Sequence, residues 1–224
     1  MRSDHVAIQV DQEHSVSGLL QRPTRALACC VLAHGAGAGM THPFMTAVAD
    51  GLAERGVATL RYQFPAMERG STRPDRPALA QATVRAAVEA ATGLMPALPL
   101  VAGGKSFGGR MTSQAQADQP LAGVRGLVFL GFPPHTAKKP SIERAGHLPQ
   151  IHIPMLFVQG TREALADMRL LTPALKRLGP LATLMPVAEA DHSFHVPVKS
   201  GQTDHEVLGS TLDAVTQWIE QVLS

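Results

Sequence analysis

Short continuous apolar runs alternate with helix-like segments along most of this 224-residue chain. The runs lack polar alternation, which is typical of strands that are buried on both faces of a parallel sheet. They cover residues 27–33, 57–60, 98–102, 127–130 and 153–158. Helical periodicity covers residues 44–55, 78–91, 107–117 and 165–178. This alternation predicts an α/β fold, namely a doubly wound, mostly parallel sheet with helices on both faces.

The two ends of the chain have patterns of their own. Residues 6–10 and 16–20 alternate apolar and polar side chains, which predicts an antiparallel hairpin at a sheet edge. Thr203 and Glu206 have the spacing of a capping box and predict the start of a final amphipathic helix. Because no linker or repeat divides the chain, we expect a single domain over residues 1–224. The proline-rich segment 132–152 is expected to form no more than a small flap.

Composition and charge exclude several classes of function. The 20 basic and 18 acidic side chains give a net charge of +2, without the basic cluster of a nucleic-acid binder. No apolar run reaches the roughly 18 residues that cross a bilayer. Residues 1–5 lack the apolar core of a signal peptide, so we expect a cytoplasmic protein that binds neither membrane nor nucleic acid.

Cysteine and histidine usage gives no sign of a disulfide framework or a metal site. Cys29 and Cys30 are adjacent in an apolar run, so we expect them to be buried and to face opposite sides of the sheet. No pair of histidines has the helical spacing of a zinc site with an acid between them. The sequence therefore predicts no metal and no cofactor, and it carries no signal for the oligomeric state.

A glycine-rich turn, GGKSFGG at residues 103–109, follows one predicted strand and precedes a helix. Gly104, Ser106 and Gly108 have the spacing of a nucleophile elbow, in which a serine hydroxyl projects above the sheet and the glycines let strand and helix approach. The backbone N–H of Phe107 would then face a developing oxyanion. A phosphate-binding loop is the alternative, but Pro99 stands where its first glycine is required.

A second glycine-rich loop, HGAGAG at residues 34–39, follows the first buried run. A loop at this place can supply a second oxyanion donor, which we predict at Ala36. The competing interpretation, a dinucleotide-binding fingerprint, requires a third glycine where the chain has Met40.

Two later segments carry an acid and a histidine. Glu163 ends the sequence QGTRE at residues 159–163, just past a predicted strand, and His192 follows a short predicted strand at residues 182–185. The chain order is therefore serine, acid, histidine, which is one of the known orders of a catalytic triad.

Together these segments resemble the small, lid-poor, dienelactone-hydrolase-like group of the alpha/beta-hydrolases. The resemblance is carried by LAHGAG at residues 32–37, GKSFGG at 104–109, FVQGTR at 157–162 and ADHSF at 190–194. It implies an alpha/beta-hydrolase fold with a minimal lid or none, no cofactor, and a small-molecule substrate. The implied function is that of a serine hydrolase that cleaves a small ester, thioester or lactone.

The resemblance also implies a role for each site residue. Ser106 is the expected nucleophile, His192 its general base, and Glu163 the acid that orients His192. The group usually has aspartate where this chain has Glu163, so Asp167 stays open as the alternative acid. His195 is the competing histidine, and we expect it to flank the site.

Other residues near these motifs are expected to have structural roles. We expect Asp191 to form hydrogen bonds within its loop, and His34 to pack or form hydrogen bonds inside the oxyanion loop. For Lys105 the main expectation is a solvated side chain, and the alternative is an influence on a substrate carboxylate or a nearby acid. Because one fold hosts enzymes and binding proteins alike, a non-catalytic binding or scaffold protein is the alternative function.

Overall fold

A computed structural model describes residues 3–224 and contains one eight-stranded sheet with the order β1-β2-β4-β3-β5-β6-β7-β8. Met1 and Arg2, part of the segment behind the expected cytoplasmic location, lie outside the described residues. Neighbouring strands are antiparallel in the pairs β1–β2 and β2–β4 and parallel elsewhere, and β1–β2 is the predicted hairpin. The strands are β1 Ser3–Gln9, β2 Ser15–Gln21, β3 Ala28–Ala33, β4 Val57–Tyr62, β5 Leu100–Lys105, β6 Val124–Leu130, β7 Met155–Gly160 and β8 Ala182–Val187.

Helices cover both faces of this sheet. They are α1 Pro43–Glu54, α2 Pro65–Glu68, α3 Pro77–Leu94, α4 Phe107–Asp118, α5 Met168–Lys176 and α6 Asp204–Leu223. The apolar sides of α1 and α6 pack against one face, and those of α3, α4 and α5 pack against the other. The predicted doubly wound, mostly parallel fold is therefore confirmed.

The central strand β3 shows why the apolar runs are continuous. Its side chains alternate between two apolar clusters, one on each face of the sheet, and all of them are buried. Cys29 belongs to one cluster and Cys30 to the other, as predicted. A strand that is covered on both faces has no solvent-facing side, so its pattern lacks the regular polar alternation of a half-exposed strand.

Two helix starts can be compared with their sequence signals. At α6 the predicted capping box is present: the Thr203 hydroxyl accepts from the Glu206 N–H (3.2 Å), and the Glu206 carboxylate accepts from the Thr203 N–H (2.8 Å). The helix predicted from residue 165 begins later, at Met168, because the Asp167 carboxylate caps it by accepting from the Arg169 N–H (2.9 Å). The segment between β7 and α5 is consequently irregular.

The segment 132–152 is anchored in the core near both of its ends. Phe132, Leu148 and Ile151 are buried in the core, and two short 3₁₀ turns, Glu143–Ala145 and Leu148–Gln150, give the segment its shape. Residues 136–140 between these anchors are exposed, so the small flap stays a prediction for that part of the segment. Across residues 3–224, no helix has the length and apolar character required to span a bilayer.

Candidate active site

Ser106 lies in a strained turn between β5 and α4. The strand β5 continues through Lys105, beyond the predicted run 98–102, and α4 begins at Phe107, so the direction of the chain changes at a single residue. Ser106 has φ 49° and ψ −111°, which is a rare conformation for a residue with a side chain. Strained non-glycine residues of this kind cluster at functional sites.

Glycines allow this turn to approach the neighbouring strand. A Cβ atom on Gly104 would collide with the carbonyl oxygen of Ala33, and one on Gly108 would lie 2.5 Å from the carbonyl oxygen of His34. Only glycine therefore fits at either position while β3 and its loop stay this close. The close approach brings the oxyanion loop next to Ser106.

Three predicted residues meet through hydrogen bonds at the carboxyl edge of the sheet. His192 Nε2 lies 3.0 Å from Ser106 Oγ, and His192 Nδ1 lies 2.5 Å from Glu163 Oε1. Because Nδ1 faces a carboxylate, the hydrogen-bond partners assign the imidazole proton to Nδ1 and leave Nε2 free to accept from the Ser106 hydroxyl. The arrangement has the geometry needed to take a proton from Ser106 Oγ.

Glu163 reaches His192 from a buried position. Only 1% of its side chain is exposed, and Glu163 Oε2 accepts from the Nε2 amide of Gln159 at 3.0 Å. Gln159 is itself fully buried in β7, so its amide holds the Glu163 carboxylate close to the end of that strand. This path accommodates the extra methylene of glutamate. Sequence reasoning missed Gln159, although a polar residue at the end of a buried apolar strand was the available signal.

Asp167, the alternative acid, is engaged elsewhere. Its carboxylate accepts from the backbone N–H of Arg169 at 2.9 Å and from the Arg169 guanidinium at 2.8 Å, and these interactions lower the pKa of Asp167. Its own N–H donates to His135 Nε2 at 2.8 Å. The structure thus brings Glu163 to His192 and leaves Asp167 as a helix cap.

The two predicted oxyanion donors have no acceptor of their own. No hydrogen bond within the part of the chain that the structure describes uses the backbone N–H of Ala36 or that of Phe107. Phe107 is the first residue of α4, so its N–H belongs to the positive end of the helix dipole. Both groups are therefore free to donate to an anionic oxygen.

His34 fixes the loop that contains Ala36. Its Nδ1 donates to the carbonyl of Gly35 at 2.7 Å, and its Nε2 accepts from the N–H of Phe64 at 3.1 Å. Burial lowers the pKa of His34, which favours the neutral ring that this pair of bonds requires. The expected role inside the loop is observed.

Lys105 is only partly exposed and its ammonium is bound within the protein, so the main expectation of a solvated side chain is wrong. Its Nζ donates to the backbone carbonyl of His192 at 2.5 Å and lies 5.4 Å from the ring centroid of Phe194 and 5.9 Å from that of Phe44. Burial lowers the pKa of Lys105 to about 8, although the negative charges of Glu163 and Asp191 act to raise it. The position next to a known motif was a signal, but the sequence did not show what the side chain touches.

The remaining acid and histidine of this loop have the predicted minor roles. The Asp191 carboxylate accepts from the N–H groups of Ser193 (2.8 Å) and His195 (3.0 Å), and so shapes the loop. The His195 ring is 61% exposed and pairs with Asp204 at 2.9 Å. His195 therefore flanks the site.

A pocket of about 370 Å³ borders Ser106, His192 and Lys105. The rest of its lining is mostly small or apolar and comes from Gly35, Ala36, Ala38, His42, Phe44, Met45, Leu165 and Ser193. Among the described residues, no acidic side chain belongs to this lining. Within residues 3–224, no three histidine, cysteine, aspartate or glutamate side chains are grouped as a metal site requires.

The fold is that of α/β proteins that carry their sites in the loops at the carboxyl edge of a mostly parallel sheet. A sequence model of the alpha/beta hydrolase domain family matches residues 26–220, and the chain belongs to this family.

Solved structures of similar fold cover nearly the whole chain. A dienelactone hydrolase from Anabaena variabilis has 22% identity and a TM-score of 0.77, over 98% of this chain and 97% of its own. A lid-less alpha/beta serine hydrolase from Xanthomonas campestris has 19% identity and a TM-score of 0.75, over 97% and 95%. The esterase domain of a Rhodothermus marinus protein has 13% identity and a TM-score of 0.75, over 99% of both. At these identities the likeness is one of fold.

Proposed function

We propose that this protein is a serine hydrolase that cleaves a small ester, thioester or lactone through an acyl-enzyme on Ser106. The observation that carries the proposal is the continuous chain of hydrogen bonds from Ser106 through His192 to Glu163 beside a pocket. The names of the structural neighbours, a dienelactone hydrolase and an esterase among them, support the choice of ester chemistry.

In the acylation step, Ser106 Oγ attacks the carbonyl carbon of the substrate while His192 Nε2 takes the hydroxyl proton. A C–O bond forms to Ser106, and the carbonyl electrons move to the oxygen. When the tetrahedral intermediate collapses, the bond to the leaving group breaks and His192 returns the proton to it. Glu163 stabilises the imidazolium between these events and holds the ring in its orientation.

In the deacylation step, a water molecule replaces the alcohol, thiol or ring oxygen. His192 takes a proton from the water, and the resulting hydroxide attacks the acyl carbon. The bond to Ser106 Oγ then breaks, and the proton on Nε2 restores the hydroxyl. The N–H groups of Ala36 and Phe107 donate to the anionic oxygen in both steps, where such donors are each worth about 3–4 kcal/mol of barrier.

The pocket supports a small substrate. Its volume of about 370 Å³ lies near the lower end of the range for small-molecule sites. The apolar side chains of Phe44, Met45 and Leu165 favour a short apolar acyl or alcohol group.

Labelling with a fluorophosphonate that reacts with activated serines tests the proposal. The wild-type protein should be labelled and should hydrolyse p-nitrophenyl esters, with rates that fall as the acyl chain outgrows the pocket. Ser106→Ala should prevent labelling. The control Ser113→Ala should not prevent it; the Ser113 hydroxyl also lies within hydrogen-bond distance of a histidine, 2.7 Å from His147 Nε2. A folded wild-type protein that is neither labelled nor active on any ester of the series would favour the scaffold alternative instead.

A further inference from the structure

Lys105 joins three separate segments of the candidate site. It precedes Ser106 in the chain, its Nζ donates to the carbonyl of His192, and its ammonium lies near the rings of Phe44 in α1 and Phe194 in the histidine loop. These two rings are themselves stacked, with centroids 5.6 Å apart. One side chain therefore connects the strained turn, the histidine loop and α1.

Gly131, just after β6, marks the point where the charged groups meet. A Cβ atom on Gly131 would lie 2.8 Å from Lys105 Nζ and 3.4 Å from both Glu163 Oε2 and His192 Nδ1. The three atoms thus surround one small space that the glycine leaves open. The ammonium is consequently close to the side chains of Glu163 and His192, which are hydrogen-bonded to each other.

We propose that Lys105 is a positioning residue, whose ammonium fixes His192 relative to Ser106 and provides a counter-charge for Glu163. The proposal rests on the function proposed above. Lys105 touches no reacting atom in this role. It acts through the backbone of His192, which it binds to the same turn that presents the nucleophile.

The charge state of Lys105 makes this role dependent on pH. The groups that face Lys105 are Glu163 from the segment after β7 and Asp191 beside His192, and His42 at the start of α1 borders the same pocket. Because the pKa of Lys105 is lowered to about 8, the side chain is charged at neutral pH and loses its proton within the alkaline working range. The neutral amine is a weaker donor than the ammonium, and it gives Glu163 no counter-charge.

If Lys105 served mainly to stabilise the fold, its replacement would lower the melting temperature. The lowered pKa of Lys105 indicates the opposite. The folded state disfavours the charged form of Lys105, since burial dominates the lowered pKa. Below about pH 8 the buried ammonium therefore costs folding free energy, and this cost disappears as the pH rises towards the pKa of a free lysine. Replacing Lys105 by an apolar side chain of similar length should leave the melting temperature at pH 7 unchanged or raise it.

Kinetics of Lys105→Met, Lys105→Arg and the control Lys176→Met, at an exposed lysine of α5, test the proposal. Lys105→Met should lower kcat roughly 10- to 100-fold with little change in KM, because a small displacement of a base is enough for such a loss. In the wild type, kcat should fall as the pH rises through about 8. This alkaline decline should be absent in Lys105→Met and moved to higher pH in Lys105→Arg, which should recover much of the rate.

The downfield NMR signal of the His192 Nδ1 proton gives a measurement that does not require turnover. It should be sharp in the wild type and in Lys105→Arg, and broadened or lost in Lys105→Met. If no ester is hydrolysed but this signal depends on Lys105, the proposed function fails while the positioning role stands. The positioning role is overturned if Lys105→Met keeps its rate and its NMR signal, if its lost activity comes with a lowered melting temperature, or if the wild type shows no such signal.

Discussion

Within residues 3–224, two serine–histidine pairs are joined by hydrogen bonds, and they differ in their other partners although their distances are similar. Ser106 Oγ lies 3.0 Å from His192 Nε2, and Ser113 Oγ lies 2.7 Å from His147 Nε2. The second pair is the shorter one. Distance alone therefore does not identify a nucleophile.

The partners of each pair assign opposite directions to the two hydrogen bonds. Glu163 accepts from Nδ1 of His192, so Nε2 of that ring accepts from Ser106. The Ser113 hydroxyl instead donates to the carbonyl of Arg110 at 2.8 Å, so His147 Nε2 must donate to Ser113 Oγ. A base that already carries its proton on the facing nitrogen cannot take one from the serine.

Backbone and burial separate the pairs further. Ser106 occupies a strained turn beside the pocket, whereas Ser113 is fully buried within α4. Burial and the charge of Arg110 lower the pKa of His147 to about 4, so this ring is neutral in the working range. The comparison indicates that the carboxylate and the strained turn, rather than the serine and histidine themselves, distinguish the candidate site from the second pair.

The largest expected effect on kcat appears when each of the two serines is replaced by alanine in a separate variant. Ser106→Ala should reduce kcat by about 10⁵-fold or more, because it removes the attacking atom and the remaining groups act as a unit with it. Ser113→Ala should keep normal turnover and lose roughly 1 kcal/mol of unfolding free energy with its hydrogen bonds. Initial rates on a p-nitrophenyl ester, with urea unfolding of both variants, measure this. Substantial turnover by purified Ser106→Ala would remove the difference between the pairs.

Replacing the histidines should have the next largest effect. His192→Ala should lower kcat by about 10⁴-fold, the upper end for loss of a general base. His147→Ala should change kcat less than about 3-fold, since its ring donates to Ser113 and has no proton to accept from it. His195→Ala should also be mild because its ring pairs with Asp204. The assignment of the base is wrong if either of these variants loses more activity than His192→Ala.

Replacing the acid that binds His192 should have the third largest effect on kcat, and the second serine–histidine pair has no such acid among the hydrogen-bond partners that the structure describes. Glu163→Gln should lower kcat about 10³-fold with little change in KM, because the carboxylate acts on the imidazolium and contributes less than serine or histidine in such triads. Asp167→Asn should keep nearly full activity, since Asp167 caps α5. Steady-state kinetics of both variants on one ester decide between them. A crippled Asp167→Asn beside a normal Glu163→Gln would transfer the role of the acid to Asp167.

Sequence analysis predicts the features of this site that depend on residues close together in the chain. Gly104, Ser106 and Gly108 are close in sequence, so their spacing predicts the turn without knowledge of the rest of the fold. The order of buried runs predicts the sheet for the same reason, because each strand is a local pattern. Helix starts are predictable where a capping box exists, as at Thr203.

The residues that sequence analysis missed act across segments. Gln159 binds Glu163 only because the acidic side chain folds back along β7, and Lys105 meets His192 across 87 positions of sequence. Gly131, which has φ 71°, adjoins the ends of three side chains that come from three other segments. Gln159 and Lys105 stand out locally as polar residues at strand ends, but the contacts that they make leave no local pattern, since each contact depends on the distance between loops in the folded chain.

The smallest expected effect concerns the second pair alone and appears in stability. The pKa of His147 is about 4 in the folded protein and near 6.5 in an unfolded chain, so between these values the unfolded state binds more protons. The contribution of His147 to stability is therefore present above about pH 6.5 and is lost as the pH falls towards 4.

His147→Gln keeps a donor near the position of Nε2 but does not titrate. Between pH 7 and pH 5 the wild type should lose about 1 kcal/mol more unfolding free energy than His147→Gln, a figure that allows for the partial solvent exposure of the ring. Urea unfolding of both proteins at the two pH values measures the difference. Equal losses would mean that His147 takes up its proton as readily as a free histidine, and the electrostatic contrast with His192 would then have to rest on Glu163 alone.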